Sequence, residues 1–325
     1  MIPRSGATPD PWVMEEAITA PPLKVGVDRL KTSFMSKRAI DHVVLPTADL
    51  QVARQRLEAL GFTVAAEGLH PFGTKNACVY FSDDTFIEPL AVADAALADQ
   101  SVSLGNVFVA RDQRFREAHG SEGLSAIVMA TDDADADHAA FMAAGVSAGA
   151  RLDFSRGYID ADGTSRTVSF RLAFAAPADV RHSYFFTCER IDAPTGGRGA
   201  LAEHANGVTG LAGVIVAAAD PAATAKFFAI LTGGAVQTMG GNAAVAPATG
   251  NIAIMTPVSL EEEFGVAPST SSEPMALCGL ALSVKNLAAT AAYLKNNGID
   301  FHHGNARIVV PPVPGQGAFL AFEEA

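Results

Sequence analysis

The sequence predicts an α+β protein built from four tandem βαβββ units that form two paired domains. Three observations predict it. An apolar stretch closed by Asp or Asn occurs four times, at residues 40–49, 124–133, 211–220 and 277–286. A segment with Ala and Leu at helical spacing follows each stretch. A glycine then ends each helical segment, at Gly61, Gly145, Gly233 and Gly298. One such unit leaves a sheet face open and buries it only against a neighbour, so four copies imply two pairs.

Bulk composition agrees with this reading. The chain has 325 residues, of which 49% are hydrophobic and 18% charged, enough for two cores in a globular protein. Its net charge is 23 − 35 = −12, which argues against nucleic acid or an anionic membrane as partner. No apolar run is long enough to span a bilayer. The expected partner is a small-molecule substrate and the expected compartment the cytoplasm. Cys78, Cys188 and Cys278 are odd in number and form no CxxC pair, so they suit a reducing compartment and read as packed thiols.

Residues 1–37 are rich in Pro and mixed charge, lack the apolar core of a secretory signal, and read as an N-terminal arm: an ordered one packed on a partner subunit and anchored by Trp12 and Val13, a disordered tail, or an over-extended start. Residues 38–190 form the first domain, units one and two. Asp49 and Asp133 stand where an N-cap oxygen can accept the free N–H groups of helices 50–60 and 134–144. Strands are expected at 62–64, 77–81, 86–92, at Val146, and at 167–174 and 183–188, with Asp83-Asp84 and Asp162-Gly163 as turns. Residues 191–206, with Pro194 and three glycines, read as a linker. Residues 207–325 form the second domain, units three and four. Asp220 and Asn286 cap helices 221–231 and 287–297, and Pro221 sits at a first helical position where a missing N–H costs nothing. Strands are expected there at 235–236, 251–255, 299–301, 307–310 and 318–322. The acidic run 132–137 coincides with a helix start and lacks the Gly and closing Glu of a calcium loop.

Four tandem βαβββ units resemble the vicinal oxygen chelate superfamily, which includes glyoxalase I, extradiol ring-cleaving dioxygenases and bleomycin-resistance proteins. The first half resembles the glyoxalase-like subgroup through residues 41–45, 70–76, 86–90, 122–125, 153–156, 184–188 and 204–207. The resemblance implies a metal site on the first and last strands of a unit, facing the concave side of the sheet. By period-two alternation Ile40, His42 and Val44 share one face, and Phe86, Glu88 and Leu90 another. His42 and Glu88 are therefore the expected ligands of a divalent ion, whether Fe, Mn, Zn, Co or Ni. The other copies offer Ala126, Gly213 and Gly279 at the His42 position, and Phe186, Ile254 and Leu320 near the Glu88 position. A third ligand must come from elsewhere, with His204 first choice and His182 second.

The hairpin at 70–76 places His70, Thr74 and Asn76 together. His70 is the expected proton carrier. Thr74, Asn76, Arg156 and His182 are the expected substrate contacts, with Arg156 suited to a carboxylate. The resemblance implies a metal-dependent isomerase or lyase acting on a small oxo- or hydroxy-carboxylate or an aromatic-catabolism intermediate. An extradiol dioxygenase and a non-catalytic binder are the alternatives. The second half, without ligands, is read as a structural or dimerising half of a homodimer.

Overall fold

The computed structural model describes residues 36–159, 165–192, 198–268 and 273–325. Residues 1–35 of the N-terminal arm, the Asp162-Gly163 turn and part of the linker lie outside the described residues. The described residues fall in one compact unit.

Unit one comprises β1 (Ile40–Pro46), α1 (Leu50–Ala59), β2 (Gly68–Leu69), β3 (Thr74–Asn76), β4 (Val79–Tyr80) and β5 (Phe86–Val92). Two helices the repeat pattern does not contain follow, α2 (Ala95–Ser103) and α3 (Val107–His119). Unit two is β6 (Ala126–Ala130), α4 (Ala134–Ala143), β7 (Leu152–Ile159), β8 (Ser165–Ala175) and β9 (Tyr184–Ile191). Unit three is β10 (Val208–Ala218), α5 (Pro221–Thr232), β11 (Ala235–Met239), β12 (Asn242–Ala246) and β13 (Asn251–Met255), followed by an inserted α6 (Pro257–Phe264). Unit four is β14 (Met275–Val284), α7 (Leu287–Asn296), β15 (His302–Gly304), β16 (Arg307–Val310) and β17 (Phe319–Glu324). No helix among the described residues is long and apolar enough to cross a membrane.

The capping logic of the sequence is realised in all four repeat helices. The side chains of Asp49, Asp133, Asp220 and Asn286 accept from backbone N–H groups of the first turn. After three of the four helices, the residue beyond the left-handed glycine donates its N–H back into the helix: Phe62 to Leu57, Val146 to Phe141 and Ile299 to Leu294, each at 3.0 Å. An N–H spent in this way cannot enter a ladder. The strands expected at 62–64 and 299–301 do not form, and only the third unit starts one at once, at Ala235.

Units one and two share a sheet of order β2-β3-β5-β1-β6-β9-β8-β7, with β4 also on β5. Units three and four form the second, β11-β12-β13-β10-β14-β17-β16-β15. In both, the first strands of the two units meet antiparallel at the centre, and each is flanked by its own unit's last strand in parallel. Two curled α+β sheets of paired units therefore make up the described chain. One face of each sheet contributes to a common core that includes Val43, Ile127 and Phe185 from the first and Val214, Leu280 and Phe322 from the second. The other face of each is concave.

Register corrects two details of the alternation. Pairing slips between Ile40 and His42, a β-bulge, so Ile40 joins the common core while His42 and Val44 face the concavity. Val44 pairs with Glu88, and the same step in units three and four leads to Ala253 and Ala321 rather than Ile254 and Leu320.

Candidate active site

The concave face of the first sheet holds a pocket of about 470 Å3. Packing of α2 and α3 against part of that face, through Ala98, Phe108 and Val109, bounds the pocket on one side. His42, His70, Asn76, Glu88 and Arg156 all line it. These five expected residues converge. Three others do not stand at its surface, for reasons given below.

His42 and Glu88 are each 5% exposed. His42 Nε2 lies 3.3 Å from Glu88 Oε2. On the other side of the ring, Nδ1 lies 2.5 Å from Asp41 Oδ2. Successive residues of a regular strand face opposite ways. The bulge turns Asp41 so that it reaches the ring of its own neighbour. Arg190, from β9, clamps Asp41 with two hydrogen bonds of 2.7 and 2.5 Å. The result is a row, Arg190–Asp41–His42–Glu88, in which the buried His42 ring lies between two carboxylates. Burial alone would raise the Asp41 carboxyl, but Arg190 and His42 outweigh it and hold it at about 2. Burial likewise works against Glu88 ionisation, and His42, His70 and Asn76 overcome it, leaving Glu88 at about 2. Burial would depress His42, yet its bonds to Asp41 and Glu88 raise it above its ordinary value.

His70 approaches the other oxygen of the same carboxylate, its Nε2 3.7 Å from Glu88 Oε1. That oxygen also accepts from Asn76 Nδ2 at 2.6 Å. Phe72 stacks on the His70 ring at 5.0 Å, and Phe108 and Phe154 meet it edge-on. Burial in this aromatic box drives His70 down to about 4, so it is neutral at neutral pH. Thr74 is fully buried behind the ring, with Oγ1 2.8 Å from Nδ1. It orients His70 and does not line the pocket.

Three arginines border the opening. Arg190 is committed to Asp41, and Arg198 lies over the Tyr80 ring at 4.0 Å. Arg156 lies over Phe170 at 5.6 Å and pairs with no carboxylate among the described residues. The space above Gly68 is taken by Arg156 Nη1 and Asn76 Oδ1, which a Cβ there would meet at 2.6 and 2.8 Å. The thiols of Cys78 and Cys188 also line the pocket, where burial pushes both up to about 12, so they remain protonated packing groups.

His204 is elsewhere. Its Nδ1 accepts from the Thr63 N–H at 3.0 Å and its Nε2 donates to the Tyr80 carbonyl at 2.9 Å. Both nitrogens hold backbone, so neither is available as a metal ligand. His182 precedes β9 at the end away from Arg190, beside His119 and Glu273. Asp41 and Arg190 escape a reading of the sequence, because the bulge and the β1–β9 approach are tertiary facts. The one local signal was an Asp directly preceding the strand histidine.

The pocket offers a divalent ion one pre-aligned pair of donors, His42 Nε2 and Glu88 Oε2. A carboxylate on the far nitrogen is the usual second support of a metal-binding histidine. His70 faces the opposite oxygen of Glu88, so the three do not converge on one point. Among the described residues the one His/Cys/Asp/Glu triad with donor atoms all within 4.8 Å is His119, His182 and Glu273. The fit to a metal is thus a two-residue edge with His70 adjacent.

Residues 40–232 match the family model of a glyoxalase-like domain. No curated protein matches the chain by sequence. Among solved structures the fold is similar to a hypothetical protein from Staphylococcus aureus, with TM-score 0.61 and 12% identity, covering 88% of this chain and 99% of that one. It is also similar to a mutant 4-hydroxymandelate synthase from Streptomyces coelicolor, with TM-score 0.53 and 16% identity over 89% and 93% of the two chains. A Mn(II)-bound glyoxalase from Novosphingobium aromaticivorans gives TM-score 0.51 and 12% identity over 89% and 82%. At these identities the likeness is one of fold.

Proposed function

The chain belongs to the glyoxalase-like domain family, and on that premise we propose that it is a metal-dependent enzyme moving a proton on a small oxo- or hydroxy-carboxylate, as an isomerase or lyase. The observation that carries this reading is the edge between His42 Nε2 and Glu88 Oε2, 3.3 Å apart in a pocket and braced by Asp41. His42 and Glu88 would hold a divalent ion, which would supply a Lewis acid for a substrate carbonyl oxygen. The rest falls to the chain's own residues. Asp41, fixed by Arg190, keeps the His42 proton on Nδ1 and its Nε2 turned inward. Phe86, Phe154, Phe170 and Phe186 line the pocket and flank a planar substrate. Arg156 receives the substrate carboxylate. His70, neutral and oriented by Thr74, takes up and returns a proton at Nε2.

One observation favours a second reading. His70 Nε2 lies 3.7 Å from Glu88 Oε1, so a turn of that carboxylate would bring two histidines and one carboxylate to a shared ion, the set that suits an extradiol-type iron dioxygenase.

Metal analysis of protein purified without added metal tests both. The expected result is about one divalent ion per pocket, lost in His42→Ala and in Glu88→Ala. Iron, together with oxygen uptake on catechols, would select the dioxygenase. A wild-type pocket that neither carries nor takes up metal sinks both readings and leaves a small-molecule binder.

A further inference from the structure

His182 stands at the opposite end of β9 from Arg190, about 26 Å away at the rise of an extended strand. There it meets two residues remote in sequence: His119, in the last turn of α3, and Glu273, just before β14. The His119 and His182 rings contact edge to face at 5.2 Å. One donor atom from each of the three residues lies within 4.8 Å of those of the other two.

Two further observations point to a ligand. His182 Nδ1 is shielded from solvent and makes no hydrogen bond, its approach to Glu273 Oε1 being 3.4 Å and outside bonding geometry. The Glu273 carboxylate is itself fixed, because Oε1 accepts from the backbone N–H groups of Arg181 and His182. His119 is held by Phe115, whose ring lies 4.9 Å away. The three side chains are thus pre-oriented by neighbours, as metal ligands usually are. Access is not obstructed: His182 borders one surface groove and His119 another.

We propose that His119, His182 and Glu273 form a second divalent-metal site, separate from the His42–Glu88 pocket, with two imidazoles and a carboxylate suited to zinc. Its ligands come from α3 and from the approaches to β9 and β14, one in each sheet. An ion there ties the two sheets to the helix that walls the catalytic pocket through Phe108. Phe108 and His119 lie about 16 Å apart along α3. The proposal does not depend on the pocket being a metal site.

Zinc titration by calorimetry on the metal-stripped full chain tests it, using His42→Ala/Glu88→Ala to silence the pocket. That variant is expected to keep one equivalent of zinc and a zinc-dependent rise in Tm. Adding His119→Ala or His182→Ala should abolish both, and Glu273→Gln should weaken binding at least about tenfold. Circular dichroism identifies variants that fold, and the cobalt-loaded protein gives an independent check through visible bands that vanish with either histidine. Zinc stoichiometry and Tm response that survive both histidine substitutions would overturn the proposal, as would binding only at millimolar zinc. Failure of the pocket reading alone leaves the one equivalent at His119–His182–Glu273 in place.

Discussion

The two concave faces are built from the same unit and have opposite contents. On the first, His42, Glu88 and Asn76 surround a pocket. On the second, the position of His42 is Gly213, whose missing Cβ would meet the Asn251 carbonyl oxygen at 2.3 Å. The matching glycine of unit four, Gly279, lies under the Phe319 ring, 2.2 Å from where a Cβ would stand. Phe264 of α6 packs on Phe319 at 5.0 Å, with Leu260 and Ile215 beside them. The inserts differ in the same sense. Both follow the last strand of an odd-numbered unit, yet α2 and α3 leave the pocket open beside them while α6 lays Leu260 and Phe264 onto Ile215 and Phe319. Buried charge follows suit: Arg38, Asp41, His42, Glu88, Asp112 and Asp137 all precede β7, whereas the buried polar residues beyond Asn206 among the described residues are Thr232, Thr290 and Gln316, with Glu273 burying its carboxylate outside that face. One scaffold can thus hold either an apolar plug or a polar site.

The largest expected effect breaks the plug. Phe319→Ala should cost about 3–5 kcal/mol in urea unfolding, since a ring 1% exposed would leave a cavity against Gly279. Metal binding at His42–Glu88 should be unchanged. A loss under about 1 kcal/mol would mean that the second face is not held by this ring.

Next comes a pH dependence centred on the first face. His70 falls from an ordinary 6.5 to about 4 in the fold. Between those values the unfolded chain binds a proton that the fold refuses, so stability falls as pH drops from about 6.5 to 4. The loss is on the order of 3 kcal/mol in metal-free protein. His70→Asn should flatten that window. Asp41 and Glu88, both held at about 2, add a separate loss as pH falls below their ordinary range toward 2. A wild-type curve flat from 6.5 to 4 would show that His70 is not buried neutral.

A smaller effect sharpens the contrast further. Asp41→Asn should weaken metal binding about 10–100-fold, measured by competition with a chelator, because the brace on His42 Nδ1 is altered. Unchanged affinity would make Asp41 a partner of Arg190 alone.

Much of the scaffold was legible in the sequence because its signals are local. Asp49, Asp133, Asp220 and Asn286 cap helices within three residues of themselves, and β5 and β13 read directly as apolar strands. His42 and Glu88 stood out as polar residues within such strands. The misses are contacts at long range. His204 sits in a motif that suggests a ligand, but its nitrogens are occupied by Thr63 and Tyr80, more than a hundred residues earlier. The partners of His182 come from the α3 insert and from the approach to unit four. Helices α2 and α3 follow no repeat, so comparing the four copies gave no reason to expect them.

Arg38 fixes the start of the first sheet with groups made much later. Its backbone N–H donates to the Thr232 carbonyl at 2.7 Å, its side chain reaches the Leu231 carbonyl, 193 residues on, at 2.7 Å, and its guanidinium also pairs with Asp137. At a synthesis rate of about 5–20 residues per second, Leu231 is made roughly 10–40 s after Arg38. The leading strand of the first sheet is thus anchored by a helix that belongs to the other half of the chain.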